Sequence, residues 1–115
     1  MIIFKIFHIV RSTEETSELR DIDRCTRSIL SFIGESEVEG RKLRVSDIVA
    51  RTEFVSPPTV YSRIQILEEA GLLLRSSDAE DRRAKTVKLT VRAWRIYKRM
   101  SSKLRRLANK TKPKH

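Results

Sequence analysis

Residues 43–90, LRVSDIVARTEFVSPPTVYSRIQILEEAGLLLRSSDAEDRRAKTVKLT, carry the pattern that decides the fold. Leu43-Arg44-Val45 is short and extended. Ser46 is expected to cap a brief helix, Asp47–Arg51, with Ile48 and Val49 facing inward. Thr52–Val55 makes the turn. Ser56 then caps a second helix with Pro57 at its first position, where the missing N–H costs nothing. Val60, Ile64 and Leu67 recur at helical spacing on that helix, and Ala70-Gly71 supplies the C-terminal stop. Leu72–Arg75 and Lys85–Leu89 form two strands joined by the polar loop Ser76–Ala84.

Strand, helix, turn, helix and basic hairpin, in that order, make a winged helix-turn-helix: mainly α, with a small β-hairpin wing. The arrangement presents one helix and one loop to a nucleic-acid duplex. On the second helix, Val60, Ile64 and Leu67 set the buried direction, and at 100° per residue the opposite face holds Pro58, Ser62, Gln65 and Glu69. Thr59 and Ile66 flank that face on one side and Tyr61 on the other. Small polar groups of this kind suit a major groove, where Gln and Ser pair with base edges and a Thr methyl meets thymine. Arg63 points sideways, better placed for a phosphate than for a base. In the hairpin, Arg82 and Arg83 stand at the tip, with Lys85 and Lys88 on the following strand. An arginine on a projecting loop suits the negative potential of a narrow minor groove. Asp81 would repel phosphate, so its expected role is to accept hydrogen bonds and hold the tip in shape.

Segment 43–90 resembles the MarR family of bacterial and archaeal transcriptional regulators, which are dimeric winged-helix proteins. The resemblance is carried by Ser56-Pro57-Pro58-Thr59-Val60, by Leu67-Glu68-Glu69-Ala70-Gly71-Leu72-Leu73, and above all by Asp81-Arg82-Arg83-Ala84 with Val87-Lys88-Leu89-Thr90. It implies that Thr59 and Ser62 lie on the recognition helix, that Arg83 is the minor-groove arginine and that Asp81 supports it. Ser62 stands where the family often has an arginine, with Arg63 next to it. Val91-Arg92-Ala93-Trp94 stands where the family usually places a glycine. Family members end in two helices, whereas the 25 residues after Thr90 make one helix and a tail. The family's small-ligand pocket is therefore not carried over, and the effector stays open.

Outward from this segment, residues 2–10 place Ile, Phe or Val at seven of nine positions, and fit either a strand or a short helix. Ser12-Thr13-Glu14-Glu15 reads as a helix start, with Ser12 as N-cap and Glu15 as its reciprocal partner. Leu19, Ile22, Thr26, Ile29 and Ile33 continue as a stripe, with Cys25 and Phe32 beside it, until Gly34 ends the helix before an acidic loop, Glu35–Gly40. Glu14, Glu15, Glu18, Asp21 and Asp23 fall in the early turns of that expected helix, favoured by its dipole. Cys25 reads as a core residue more than as a redox sensor. At the other end, Ala93, Tyr97, Met100, Leu104 and Leu107 recur at intervals of four and three, the spacing of a helical seam. With the apolar Ile2, Phe4 and Ile6, they predict a homodimer built from both ends of the chain. The expected organisation is thus an N-terminal segment and acidic helix (1–40), the winged helix-turn-helix (41–90), a dimerising C-terminal helix (91–109) and a disordered basic tail (110–115).

Charge agrees with this division. The net charge is +10. Residues 1–40 hold five Lys/Arg against eight Asp/Glu, residues 41–90 ten against seven, and residues 91–115 ten against none. A basic face joined to a reading motif is the footprint of a phosphate-binding protein. No glycine loop cradles a phosphate, the two histidines are well separated, and no Cys/His cluster suits zinc. The expectation is a cytoplasmic, non-enzymatic protein without cofactor or metal, its partner double-stranded DNA and not a membrane. Sequence-specific regulation, most simply repression at a palindromic site, is the leading reading. An architectural winged helix with little sequence choice, or a protein-interaction module, are the rivals.

Overall fold

The computed structural model describes residues 1–51 and 56–110. Helix α1 spans Ile2–Glu15, followed by a 3-10 turn, Glu18–Asp21. Then come α2 (Arg24–Val38), β1 (Leu43–Arg44), α3 (Val45–Arg51), α4 (Pro57–Glu69), β2 (Leu73–Ser77), β3 (Lys85–Leu89) and α5 (Val91–Lys110). The expected turn Thr52–Val55 and tail residues 111–115 lie outside the described residues. The chain divides into two compact units, one formed by residues 1–22 with the part of α5 from residue 94 onward, the other by Asp23–Ala93.

In the larger unit the three strands pair antiparallel in the order β1-β3-β2, with Leu43 opposite Val87 and Leu73 opposite Leu89. Inward positions alternate at the end of β3, with Val87 and Leu89 buried and Lys88 between them exposed, while Lys85 on the same face as Val87 is exposed at the start of the strand beside the loop. Helices α2 and α4 pack on one another, and α2 also covers β3. Ile29, Leu30 and Ile33 of α2 are buried with Ile48 of α3 and with Val60, Ile64 and Leu67 of α4. Burying each large aliphatic side chain contributes about 1.5–3 kcal/mol.

Several local expectations are corrected. Residues 2–10 take the helical one of the two forms left open, and Ser12 is not a helix start but lies inside the last turn of α1, where its carbonyl accepts the Thr16 N–H at 3.2 Å. The Ser-x-x-Glu pattern reads as a start only if the segment before it is not already helix. Helix α1 ends at Glu15, and Ser17, two residues on, caps the 3-10 turn with its hydroxyl accepting the Leu19 N–H at 3.0 Å. Glu14 and Glu15 therefore end α1, and Asp23 becomes the N-cap residue of α2. Gly34 does not end α2. It sits in the helix interior, where a Cβ would lie 3.2 Å from Leu89 Cδ1, so the glycine serves close approach to β3. Four more residues of the supposed acidic loop are helical, and Glu37 reaches from them to accept the Leu89 backbone N–H.

Helix α3 starts at Val45, two residues before the expected Asp47. Its cap is supplied by Asp47, whose carboxylate accepts the Arg44 N–H at 2.8 Å. Ile48 is buried and Val49 only half-buried. Ser56 holds the N-cap position of α4, but its hydroxyl meets Thr59 Oγ1 at 2.9 Å and caps no backbone N–H. Strand β2 runs to Ser77, two residues beyond Arg75.

Both α2 and α4 end in the same left-handed motif. Gly71 has φ +72, its N–H bonds to the Glu68 carbonyl at 3.0 Å, and the Leu72 N–H bonds to the Leu67 carbonyl at 3.0 Å. Gly40, with φ 75, repeats the pattern after α2. In this region a Cβ crowds the carbonyl, at about 1–2 kcal/mol. Gly71→Ala is expected to lower unfolding free energy by about that amount, read as a shift in urea midpoint; an unshifted midpoint would mean the turn does not need the glycine.

Candidate nucleic-acid interface

The second helix of the motif, α4, turns one face inward completely. Val60, Ile64 and Leu67 each have no exposed surface. The geometry of the helix then directs Pro58, Ser62 and Gln65 outward, and all three are exposed, together with Ser56 and Tyr61. Thr59 is half-buried. Gln65 donates to Glu69 Oε1 at 3.3 Å, a weak surface contact that leaves its amide adaptable. Arg63 differs from the other candidates. It is half-buried, and its Nη1 lies 3.8 Å from Asp23 Oδ1 at the start of α2, so it has a partner within its own unit.

The wing is built by side chains closing on backbone. Asp78 N–H bonds to the Ala84 carbonyl at 2.9 Å and Ala84 N–H to the Asp81 carbonyl at 3.0 Å. The Asp81 carboxylate accepts the Arg83 backbone N–H at 3.0 Å, an Asx turn at the tip. Arg82 and Arg83 are exposed. Lys85 donates to Ser77 Oγ at 2.8 Å across the hairpin.

One residue missed by sequence reasoning organises the base of this loop. Asp78 is buried, 1 % exposed. Its Oδ1 accepts from Lys42 Nζ at 2.5 Å and from the Glu80 N–H at 3.0 Å. Its Oδ2 accepts from Arg44 Nε at 3.1 Å and Nη2 at 2.8 Å, a fork across one oxygen. Buried carboxylates persist only with such compensation. The Lys42 hydrogen bond, then the Glu80 N–H and the Arg44 fork, outweigh burial and hold the Asp78 carboxyl at about 2 against an ordinary 3.8. The Asp81 neighbourhood offered no local sign of this, since Lys42 and Arg44 lie 36 and 34 residues away.

Arg44, Arg75, Arg83 and Lys85, with Ser46 and Tyr61, line a cleft of about 250 Å³ between the start of α3, helix α4 and the wing. Tyr61 and Arg83 thus border one cavity, which brings the outward part of α4 and the wing tip to one face of this unit. Arg75 is paired with Glu68.

In the other unit, Ile2, Phe4 and Ile6 are exposed, while Tyr97, Met100, Leu104 and Leu107 are half-buried on α5. Arg99 pairs with Glu18, and Lys103 donates to Thr16 Oγ1. Ala93 is fully buried in its own chain and is a core residue, not part of an available seam. Ile96, three residues on, is buried as well. The periodic pattern placed Ala93 in the seam because core and seam spacing coincide over the first turn of a helix. Among the described residues no group of His, Cys, Asp or Glu is arranged to hold a metal ion, and no helix is long and apolar enough to cross a membrane.

A family model described as a winged helix DNA-binding domain matches residues 22–93. No curated protein matches the sequence. Among solved structures, a mutant of MepR from S. aureus bound to an oligodeoxyribonucleotide superposes with a TM-score of 0.72 at 23% identity, covering 96% of this chain and 75% of that one. FabT of Streptococcus pneumoniae in complex with DNA gives 0.65 at 20% identity, covering 98% and 78%. A MarR-like transcription regulator from Bacillus cereus gives 0.60 at 16% identity, covering 94% and 75%. The fold is that of these regulators.

Asp78 also sets an acid limit. A carboxyl held below its ordinary value contributes stability that is complete above pH 3.8 and is lost as pH falls through about 2. Denaturant unfolding followed from pH 5 to pH 2 is expected to show that loss in the native protein and a flatter profile in Asp78→Asn; parallel profiles would assign the acid sensitivity elsewhere.

Proposed function

Because the chain belongs to the winged helix DNA-binding domain family, we propose that it is a sequence-specific regulator of transcription that binds double-stranded DNA in the cytoplasm. One observation carries this reading. Tyr61, on the exposed flank of α4, and Arg83 of the wing border a single basic cleft. Two elements so disposed suit adjacent grooves of one duplex, the helix in the major groove and the wing in the minor groove.

Each side chain then has a part. Ser62 and Gln65, with Thr59 and Pro58 beside them, meet base edges. Ser56 and Tyr61 flank the helix start and contact the backbone. Arg83, aided by Arg82, enters the minor groove, with Asp81 keeping the tip in its turn and Lys85 supplying charge behind it. Arg63, turned towards Asp23, is left out of the reading set.

The protein acts as a homodimer in this proposal. Exposed Ile2, Phe4 and Ile6 on α1 and the outer flank of Tyr97, Met100, Leu104 and Leu107 on α5 supply the apolar surface. A twofold pair sets two copies of α4 on half-sites about one DNA turn apart, hence on a palindrome. Occupying a promoter in this way represses it. Helix α4 presents polar groups where a protein-interaction helix would be apolar, which favours DNA over that rival.

Selection of duplexes from a random pool, with the mass of the bound species, tests the whole reading. The expected result is a symmetric site, two chains per duplex and a preference over random DNA of about a thousandfold or more. A ratio near one would instead indicate an architectural protein. Arg83→Ala is expected to weaken binding and lower the salt slope by about one unit, and Gln65→Ala to relax preference at one position while leaving the slope unchanged. Equal binding by Arg83→Ala would remove the wing from the interface.

A further inference from the structure

Among the described residues, the lining of the cleft between α3, α4 and the wing carries four cationic side chains and no carboxylate. Of these, Arg75 is neutralised by Glu68. Arg44 is held differently. Its Nε and Nη2 are fixed on Asp78 Oδ2, which leaves Nη1 with no hydrogen bond among the described residues. A guanidinium has five N–H donors in a rigid plane, so one edge anchored on a buried carboxylate leaves a second edge set in position. The ion pair does not cancel the charge of the site either, since Asp78 is shared by Lys42 and Arg44, two cations against one anion.

A duplex that offers its major groove to α4 and its minor groove to the wing must pass a strand of sugar-phosphate between them. The cleft lies at that position. We propose that it is a seat for one backbone phosphodiester, with Arg44 as its pre-positioned donor and Asp78 as the residue that positions Arg44. Ser46 and Tyr61 hydroxyls and the Lys85 ammonium border the same space and complete a donor set matched to phosphate oxygens. This deepens the DNA-binding reading and rests on it. It assigns an anchoring contact to β1, an element outside both the recognition helix and the wing tip. It also makes the contact blind to sequence, because a phosphodiester carries no base information.

Two substitutions separate this from general electrostatics. Arg44→Gln is expected to weaken binding to the selected duplex and to random duplex by the same factor, and to lower the salt slope by about one unit. Asp78→Asn raises the net charge by one, so attraction between a basic protein and DNA would make it bind more tightly. If Arg44 is pre-positioned by Asp78, binding becomes weaker instead, in a variant that keeps the native circular dichroism and is fully folded at the assay temperature. Should Arg44→Gln or Asp78→Asn fail to fold, Arg44→Lys decides: it keeps the charge opposite Asp78 but has no second edge, and about tenfold weaker binding is expected. Native affinity and slope in Arg44→Gln, tighter binding by Asp78→Asn, or native affinity in Arg44→Lys would each overturn the seat. Those results with Arg83→Ala still impaired would leave the DNA-binding reading standing, whereas native protein that retains no duplex at low salt would remove both.

Discussion

Everything on the reading face depends on the burial of one stripe of α4. Val60, Ile64 and Leu67 have no exposure at all. A helix locked along such a stripe cannot rotate about its own axis without exposing three large aliphatic groups, at about 1.5–3 kcal/mol each. The orientation of Ser62 and Gln65 is therefore a consequence of packing on α2 and β2, not of any contact those residues make themselves. Pro57 and Pro58 start the helix and the Gly71 motif stops it, so its length is set at both ends as firmly as its rotation.

The wing obeys a different rule. Its strands are short and its loop is polar, so hydrophobic burial has little to hold there. Order comes from carboxylates instead: Asp81 closes the tip on the Arg83 N–H, and Asp78 ties the base to Lys42 and Arg44. A buried, doubly paired carboxylate gives no large gain in stability against an apolar replacement. Its value lies in geometry, because it admits only one arrangement of β1 against the loop. That explains why an acidic residue is kept inside a surface that is otherwise basic.

Legibility in the sequence follows the range of the interactions involved. The limits of α4, strand β3 and the outward set Pro58, Ser62 and Gln65 were readable, because caps, glycines and periodicity act within a few residues. The start of the chain was misread where a local pattern has two meanings: Ser12-x-x-Glu15 fits the last turn of α1 as well as the first turn of a new helix. Gly34 reads as a stop in the sequence because its reason, the approach of Leu89, comes from 55 residues further along. Ala93 was assigned to a seam because spacing alone does not say what a stripe faces. Asp78 was invisible for the same reason as Gly34. Its partners are distant in the chain, and three acidic residues close together, Asp78, Glu80 and Asp81, do not announce which one is buried.

The proposed function divides charge and specificity between separate parts of the larger unit. Helix α4 presents Ser62 and Gln65 over the first turns of its outer face, with Glu69 at its end, and its one arginine is drawn back towards Asp23. Cationic groups come from β1, β2 and the wing. In the proposed complex, a helix whose one arginine is paired with Asp23 gains little from phosphates, so its energy would differ between base sequences more than between DNA and no DNA. Attraction supplied from neighbouring strands is uniform along a duplex and sets residence. Under the proposed function, dividing the two tasks would let either be altered alone: a change at Ser62 or Gln65 would redirect recognition without loosening the grip, and a change among the cleft cations would alter the grip without redirecting recognition.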